Sequence, residues 1–251
     1  MLGIIIQARS NSSRLPRKVL LPFYNNNCIL EILIDRIKNN TINIPIIIAT
    51  TINESDDEIE TISLNKGVNV YRGDEDNVLL RFIKASEKFK LTKIIRICSD
   101  NVLLDMDALN FQILNFDKMS IDYWAYSLRD RTPTILTHFG FWAEAVSLTA
   151  LKKVSIITDD KKYLEHVTNY VYTHKDIFNI YLDEIPCKIE ELNGTARLTI
   201  DTKEDFVLMK EIYSQLIKDD VKICISSVFE LLTERKDFQE IMKCQIKLNQ
   251  K

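Results

Sequence analysis

Glycine is scarce in this chain of 251 residues, which contains five glycines and five prolines. Neither the GxxxxGK[ST] pattern of a P-loop nor the GxGxxG pattern of a dinucleotide-binding turn occurs in it. Both patterns use glycine so that the backbone can approach phosphate groups closely. A glycine-rich backbone cradle is therefore not expected, and a bound phosphate would have to be held by side chains.

Histidine and closely spaced cysteines are also scarce. His138, His166 and His174 are the only histidines, and no HExxH motif or cysteine at ligand spacing accompanies them, which disfavours a zinc site. No GxSxG motif or Cys–His arrangement indicates a covalent nucleophile. The five cysteines include no CxxC pair and several lie in apolar runs, so we expect reduced thiols in a cytoplasmic protein.

Long apolar runs and a broad excess of positive charge are absent as well. No run approaches the roughly 20 residues of a transmembrane helix, and the N-terminal run is too short for a signal peptide, so no membrane segment is predicted. The net charge of −3 argues against nucleic acid as a partner. The length and the hydrophobic fraction of 46% suit a single α/β domain over residues 1–251.

Positive charge is concentrated directly after the first predicted strand. The apolar residues 2–6 form that strand, and the cations that follow it are Arg9, Arg14, Arg17 and Lys18. A cationic loop at the C-terminal end of the first strand of an α/β sheet is a place where a polyphosphate can bind. Arginine grips phosphate oxygens through a planar fork, whereas lysine acts as a point charge. A solvated surface loop is the alternative interpretation.

Apolar segments with strand and helix periodicity alternate through the first hundred residues. This alternation is typical of a parallel sheet with right-handed crossovers, so we expect a mainly parallel sheet with helices on both faces. A small antiparallel excursion is expected over roughly residues 120–190. Further strands are predicted at 44–50, 68–71 and 92–98, and helices at 29–38, 77–89 and from residue 55 to a stop at Gly67.

The second half of the sequence is less regular. Two capping boxes, Thr202 with Asp205 and Ser227 with Glu230, predict the starts of two helices, the second being the terminal one. Strands are predicted at 122–126, 137–146, 179–185 and 196–200, and helices at 106–116, 149–154 and 160–173.

Asp100 and Asp201 each directly follow a predicted strand. Taken alone, each is more often a turn or helix-cap residue than a metal ligand. If the two strands are neighbours, both carboxylates project from the sheet edge that carries the basic loop. Such a pair suits Mg²⁺, which takes one or two protein carboxylates and completes its shell with water and phosphate oxygens.

Five stretches occur in a recognisable order, at residues 4–20, 72–79, 96–105, 165–168 and 197–205. Their sequences and spacing resemble the motifs of the sugar cytidylyltransferases over roughly residues 3–210. The branch that they resemble most is the SpsF-like spore-coat polysaccharide proteins, which are related to the acylneuraminate and Kdo (3-deoxy-manno-octulosonate) cytidylyltransferases.

The resemblance implies a Rossmann-like nucleotide-diphosphosugar transferase fold, CTP as substrate, Mg²⁺ as cofactor and a homodimer. The implied reaction transfers CMP from CTP to an acidic sugar of nonulosonic or Kdo type, with release of pyrophosphate, for surface polysaccharide synthesis. Carried to matching positions, Lys18 and Arg9 bind the triphosphate and act in catalysis, and Asp100 and Asp201 bind Mg²⁺. The other implied residues are Gln7, Ala8, Arg14, Thr50, Arg72 and Ser99 for the nucleotide, and Glu165 and His166 for the second substrate.

Two loop positions depart from the family pattern, which usually has glycine where this chain has Asn11 and Arg17. Asparagine tolerates a positive φ better than arginine does. Either the loop closes differently, therefore, or Arg17 adds a phosphate contact. The segment around residues 134–140 also matches poorly, which leaves the acceptor least defined.

Three other functions fit part of the pattern. One is a nucleotidyltransferase of the same fold with another NTP or a polyol-phosphate acceptor. Another is a GT-A glycosyltransferase, which would be expected to hold its metal with D-x-D where this chain has Ser99, Asp100 and Asn101. The third is a non-catalytic nucleotide-binding protein, which would bind CTP without releasing pyrophosphate.

Overall fold

Seven strands form the central sheet of the protein, of which the computed structural model describes residues 1–41 and 43–249. In spatial order they are β5 (Asn69–Gly73), β4 (Ile46–Thr51), β1 (Leu2–Gln7), β6 (Lys93–Cys98), β8 (Glu144–Ser147), β7 (Tyr123–Ser127) and β9 (Ile180–Glu184). Among these strands only β8 runs antiparallel to its neighbours. A separate two-stranded antiparallel sheet joins β2 (Pro22–Tyr24) to β3 (Asn27–Cys28). The predicted mainly parallel sheet with a small antiparallel part is confirmed.

Helices cover both faces of the sheet, as predicted. Those of the described residues are α1 (Ile29–Asn40), α2 (Asp57–Asn65), α3 (Val78–Lys88), α4 (Met106–Phe116), α5 (Leu148–Ile157), α6 (Lys161–Glu165), α7 (Asn169–Thr173), α8 (Cys187–Glu190), α9 (Lys203–Lys218), α10 (Ile225–Glu234) and α11 (Lys236–Leu248). No helix in this part of the chain is both long and apolar enough to cross a membrane.

Strand β1 lies at the centre of two hydrophobic clusters. Ile4 and Ile6 pack into the cluster with α1 and α4, and Ile5 packs into the cluster with α3 and α5. All three side chains are fully buried. Each such burial stabilises the fold by roughly 1.5–3 kcal/mol. The strand is therefore held firmly between two layers, and its C-terminal end at Gln7 is a rigid base for the loop that follows.

A third hydrophobic cluster joins the C-terminal helices to the rest of the domain. It packs Phe206 and Met209 of α9 and Val228 of α10 against Leu198 and Ile200. Helix α9 begins with the predicted capping box of Thr202 and Asp205, both halves of which are present. The residues just before α9 are thereby fixed from two sides, by the core and by the cap.

Two of the predicted strands are wrong in whole or in part. The strand expected at 137–146 is reduced to β8, because Gly140 has a φ of +65° and breaks the extended run. The segment 196–200 is not a strand: Leu198 N donates to His138 O, but the apolar side chains are buried in the third cluster rather than on a sheet. Nearly continuous burial in irregular backbone had produced the strand-like pattern.

The predicted helix over 160–173 and the predicted terminal helix are each divided in two. The first is interrupted at His166, whose φ of −97° and ψ of 77° are not helical, between α6 and α7. The second is α10 followed by α11, with the break at Arg235. The predicted cap at Ser227 is wrong, because Cys224 is the N-cap. The Ser227 hydroxyl accepts a hydrogen bond from the backbone N–H of Cys224 at 3.1 Å.

Candidate active site

The loop after β1 folds back across the carboxyl-end edge of the sheet. Arg17 N donates to Ser10 O at 2.7 Å, which closes the loop into a compact turn. Arg17 has a φ of +60°, so this arginine adopts the left-handed conformation in which the family uses glycine. The guanidinium of Arg17 lies 2.6 Å from Glu58. The side chain of Asn11 donates a hydrogen bond to Glu75. The loop therefore closes with arginine at the position where the family usually has glycine. The structure does not support the phosphate contact considered for Arg17.

Substitution of Arg17 by glycine tests this strained position. The left-handed conformation disfavours a side chain by roughly 1–2 kcal/mol, and the greater freedom of glycine in the unfolded chain offsets part of that. The exposed ion pair with Glu58 contributes little. We expect Arg17→Gly to be up to about 1 kcal/mol more stable than Arg17→Ala in urea unfolding. A glycine variant that is less stable than the alanine variant would contradict the assignment.

A buried carboxylate anchors this loop to β4. Asp56 is 1% exposed and accepts hydrogen bonds from Ser10 N (2.8 Å), Ser10 Oγ (2.6 Å), Thr50 Oγ1 (2.8 Å), Thr51 N (3.1 Å) and Thr51 Oγ1 (2.7 Å). Burial raises the pKa of a carboxyl group, but these hydrogen bonds outweigh that effect, and the pKa of Asp56 is held below its ordinary value. The sequence placed Asp56 only within the helix predicted from residue 55, and its role in the loop was missed.

We expect Asp56→Asn to lower the free energy of unfolding by about 2–3 kcal/mol at neutral pH, because an amide nitrogen would face hydrogen-bond donors. The folded pKa is depressed, so the carboxylate stabilises the fold above the unfolded pKa of about 4. That contribution is lost as the pH falls through the folded pKa. The difference between wild type and variant, measured by urea unfolding, should shrink below about pH 4. Asp57→Asn, at an exposed neighbour, is the matched control; a pH-independent difference would contradict the argument.

Lys18 lies between the two aspartates that were predicted to bind metal. Its Nζ is 2.5 Å from Asp100 Oδ2 and 3.9 Å from Asp201 Oδ1, and it also donates to Ile200 O. Burial disfavours the charge on the ammonium group, but the attraction of both carboxylates outweighs burial, and the pKa of Lys18 is raised. Three residues distant in sequence therefore form one compact electrostatic group, although Asp201 does not follow a strand.

Asp201 is held in place by a buried arginine. Arg197 has a fully buried side chain, and its NH2 group donates to Asp201 at 3.1 Å. The same guanidinium binds both carboxylate oxygens of Asp205, at 2.8 and 2.9 Å. Asp205 in turn accepts from Asp201 N at 3.0 Å. Asp205 at the start of α9 thus supports the backbone of Asp201, and Arg197 supports its side chain.

The cationic loop and the two aspartates line a single cavity of about 300 Å³. Two further ion pairs lie in it: Arg9 with Glu165 at 3.3 Å, and Arg14 with Asp201 at 2.9 Å. The predicted site residues that meet in this cavity are Gln7, Arg9, Arg14, Lys18, Ser99, Asp100, Glu165 and Asp201, together with Ser12, Ser13 and Cys98.

Four predicted site residues do not line this cavity. Ala8 is buried in the core, and Thr50 is fully buried with its hydroxyl on Asp56. Arg72 is turned to Thr51 O, Asn53 O and the acids of α2. His166 is exposed at the end of α6. None of these four side chains lines the cavity, so their role in binding stays a prediction.

A smaller cavity of about 100 Å³ adjoins the first and shares Cys98, Asp100 and Asp201 with it. Its other walls are mostly neutral and polar, and none of its lining residues is a lysine, arginine or histidine. They are Asn101, Thr134, Ile135, Thr137, Gly140, Trp142 and Thr199. Asn101 and Thr199 fall within family-like stretches, and residues 134–140 form the segment that matched the family poorly, but none of these seven residues was predicted as a site residue.

The donor set around Asp100 and Asp201 fits a hard divalent cation. Both carboxylates converge on one positive charge, the Lys18 ammonium, at the wall between the two cavities. The described residues contain no group of three or more His, Cys, Asp or Glu side chains that could hold a metal ion. An ion at the aspartates would therefore take most of its ligands from water and phosphate, as Mg²⁺ does.

The parallel sheet and the cation-rich cavity at its carboxyl-end edge are the features of a nucleotidyltransferase. Comparison with known proteins identifies the family within this enzyme class. The cytidylyltransferase family matches residues 3–238. The spore coat polysaccharide biosynthesis protein SpsF of Bacillus subtilis is 34% identical over 239 residues, which cover 93% of this chain and 94% of that protein. An uncharacterised protein of Methanocaldococcus jannaschii is 35% identical over 237 residues, or 94% and 92% of the two chains. The chain belongs to the cytidylyltransferase family.

Solved structures agree with this assignment. A cytidylyltransferase from Leptospira borgpetersenii serovar Hardjo-bovis superimposes with a TM-score of 0.80 at 26% identity, and the match covers 96% of both chains. CMP:2-keto-3-deoxy-manno-octonic acid synthetase complexed with CTP has a TM-score of 0.64 at 14% identity, covering 85% of this chain and 98% of that one. The second likeness concerns the fold alone. Together they confirm the predicted nucleotidyltransferase-type α/β architecture.

Proposed function

We propose that the enzyme transfers CMP from CTP to an acidic sugar and releases pyrophosphate. The observation that carries this proposal is the cavity in which Arg9, Arg14 and Lys18 face Asp100 and Asp201. Three cations suit the charge of a triphosphate, and two carboxylates suit the metal ion that accompanies it. The resemblance to SpsF supports a place in surface polysaccharide synthesis.

The reaction is a displacement at the α-phosphorus. A hydroxyl oxygen of the sugar forms a bond to that phosphorus as it loses its proton, and the bond to the oxygen bridging to the β-phosphorus breaks. Pyrophosphate leaves with the bonding electron pair. In this mechanism Lys18 and Arg9 would hold the phosphate oxygens on which charge accumulates, and Arg14, 2.9 Å from Asp201, would support that carboxylate. Mg²⁺ held by Asp100 and Asp201 would neutralise phosphate charge and polarise the phosphorus.

The two adjoining cavities suggest how an acidic sugar would be accommodated. In Kdo-type and nonulosonic acids the carboxylate is attached to the carbon that bears the reacting hydroxyl. That end of the sugar would lie at the shared wall, near the half-exposed guanidinium of Arg14. The uncharged polyhydroxyl chain suits the smaller cavity, where Thr134, Thr137 and Asn101 offer neutral hydrogen-bonding groups.

Pyrophosphate release tests this function directly. We would assay the purified protein with each of the four NTPs and Mg²⁺ against a panel containing Kdo, N-acetylneuraminic acid, a polyol phosphate and a neutral hexose. Release that requires CTP and an acidic sugar supports the proposal. Release with CTP and the polyol phosphate, or with another NTP, would support the alternative nucleotidyltransferase. CTP binding without release from any combination would contradict catalysis.

We propose that the enzyme is a homodimer. Phe111 and Leu114 of α4 and Tyr181 of edge strand β9 are about half exposed, at 51%, 50% and 42%. Phe111 and Tyr181 both pack against the buried ring of Trp124, so they belong to one apolar patch. A patch of this kind on a sheet edge is typical of a self-association surface. Light scattering coupled to size-exclusion chromatography would measure the mass; a monomer would contradict the proposal.

A further inference from the structure

A buried polar network lies directly beneath the candidate active site. Arg96 of β6 and Glu144 of β8 form an ion pair in which both side chains are less than a tenth exposed. The hydroxyl groups of Tyr123 and Thr168 also donate to Glu144. A buried ion pair commonly adds little stability over well-packed apolar residues. Stability of the fold is therefore not a sufficient account of this network.

The network reaches the cavity through Gln7. Arg96 NH2 donates to Gln7 Oε1 at 3.1 Å. A guanidinium has only donors, so the amide must turn its oxygen to Arg96 and its Nε2 group away from it. Gln7 ends β1 and lines the cavity beside Arg9, Lys18 and Asp100. Within the described residues no protein acceptor bonds to Gln7 Nε2.

We propose that Gln7 Nε2 is a hydrogen-bond donor to the substrate and that Arg96 is the positioning residue that sets its direction. The proposal rests on the proposed function. The acceptor would be an anionic oxygen, because the amide stands among the cations of the site. Such an oxygen has two possible sources, a phosphate of CTP and the carboxylate of the acidic sugar. In either case Glu144 holds the guanidinium of Arg96 in place, and Arg96 orients the amide of Gln7.

The purely structural alternative is that Gln7 only satisfies Arg96. Two variants separate the roles. Gln7→Glu is nearly isosteric and still offers an acceptor to Arg96, but it has no N–H group. Gln7→Met removes the donor without adding charge, so it controls for repulsion between a new carboxylate and an anionic substrate. If Gln7 served Arg96 alone, Gln7→Glu would remain fully active.

We expect both variants to lose about 10- to 100-fold in kcat/KM, as typical for loss of a hydrogen bond to a charged group. The midpoint of thermal unfolding of Gln7→Glu should stay near that of the wild type. Calorimetric titration with CTP and Mg²⁺ then identifies the source of the acceptor oxygen. Weaker CTP binding assigns the contact to a phosphate, whereas unchanged CTP binding with a raised KM for the sugar assigns it to the carboxylate.

A double-mutant cycle tests the part played by Arg96. Arg96→Lys keeps a charge for Glu144 but cannot span both Glu144 and Gln7. If Arg96 acts through Gln7, Arg96→Lys should lower kcat/KM in the wild-type background and have almost no further effect in Gln7→Met. Equal effects in both backgrounds would assign Arg96 a structural role only.

The outcomes keep this inference separate from the proposed function. An active wild type whose Gln7→Glu and Gln7→Met variants keep kcat/KM and CTP affinity within about twofold would overturn the inference alone. A wild type that neither binds CTP nor releases pyrophosphate would overturn the proposed function, and the substrate contact of Gln7 with it.

Discussion

Lys18→Ala should reduce CTP-dependent pyrophosphate release by about 10²–10³-fold, the usual effect of removing one electrostatic contact to a transition state. The ammonium group is largely buried between Asp100 and Asp201, so no other cation can take its place without moving the loop. The fold should persist, because the side chain contributes to the site rather than to a hydrophobic cluster.

The control for this prediction is Lys118→Ala, which removes an exposed lysine after α4 that lies outside both cavities. Lys18→Arg keeps the charge but replaces a compact point charge by a planar fork, and it should recover only part of the rate. Circular dichroism would check the folding of the three variants, and steady-state assays would measure their release of pyrophosphate. A folded Lys18→Ala enzyme with near-normal turnover would remove Lys18 from the catalytic machinery.

Arg197→Met should be the most destabilising of the substitutions considered, by about 3–5 kcal/mol. The guanidinium is fully buried and binds both oxygens of Asp205, whose pKa it holds low against the opposing effect of burial. Its removal leaves a buried carboxylate without a cation. Because the same side chain supports Asp201, the variant should also lose activity under conditions in which it remains folded.

Urea unfolding at pH 7 would measure this loss, with Lys222→Met as the matched control. Lys222 forms an ion pair with Asp107 at 2.6 Å, but both groups are exposed and screened by solvent, so its loss should change stability far less than the loss of Arg197. Equal effects of the two substitutions would show that burial does not govern the Arg197 contribution.

Sequence periodicity predicted the central strands β1, β4 and β6 because they are buried along most of their length, whereas the short β2–β3 hairpin was missed. The strand ending at Gln7, the helix from Ile29 and the strand ending at Cys98 agree with the structure to within a few residues. The loop from Arg9 to Lys18 was predicted to bind phosphate because four cations follow such a strand, and that role stays a prediction. No comparable regularity exists around Gly140, where the chain is irregular.

The candidate site was predicted less completely, for two physical reasons. Asp201 was selected because a strand appeared to precede it, yet tertiary packing and Arg197, not a sheet, bring it to Asp100. The role of Asp56 in the loop was missed because its hydrogen-bond partner Ser10 is 46 positions away in the sequence. Local pattern cannot express partners at that separation. Positive φ at Arg17 could not be predicted from arginine itself, which rarely adopts it; only the glycine that the family usually has at this position pointed to it.

The ion pairs of the larger cavity have a consequence for how ligands enter it. Its three cations and three carboxylates are already matched: Arg9 with Glu165, Arg14 with Asp201, and Lys18 with Asp100. The cavity is therefore electrically neutral, and it can fold without a ligand. A triphosphate that takes over these cations displaces Asp100 and Glu165 from their partners, whereas Asp201 keeps its ion pair with the buried Arg197. Affinity therefore depends on what compensates the charge of the two released carboxylates.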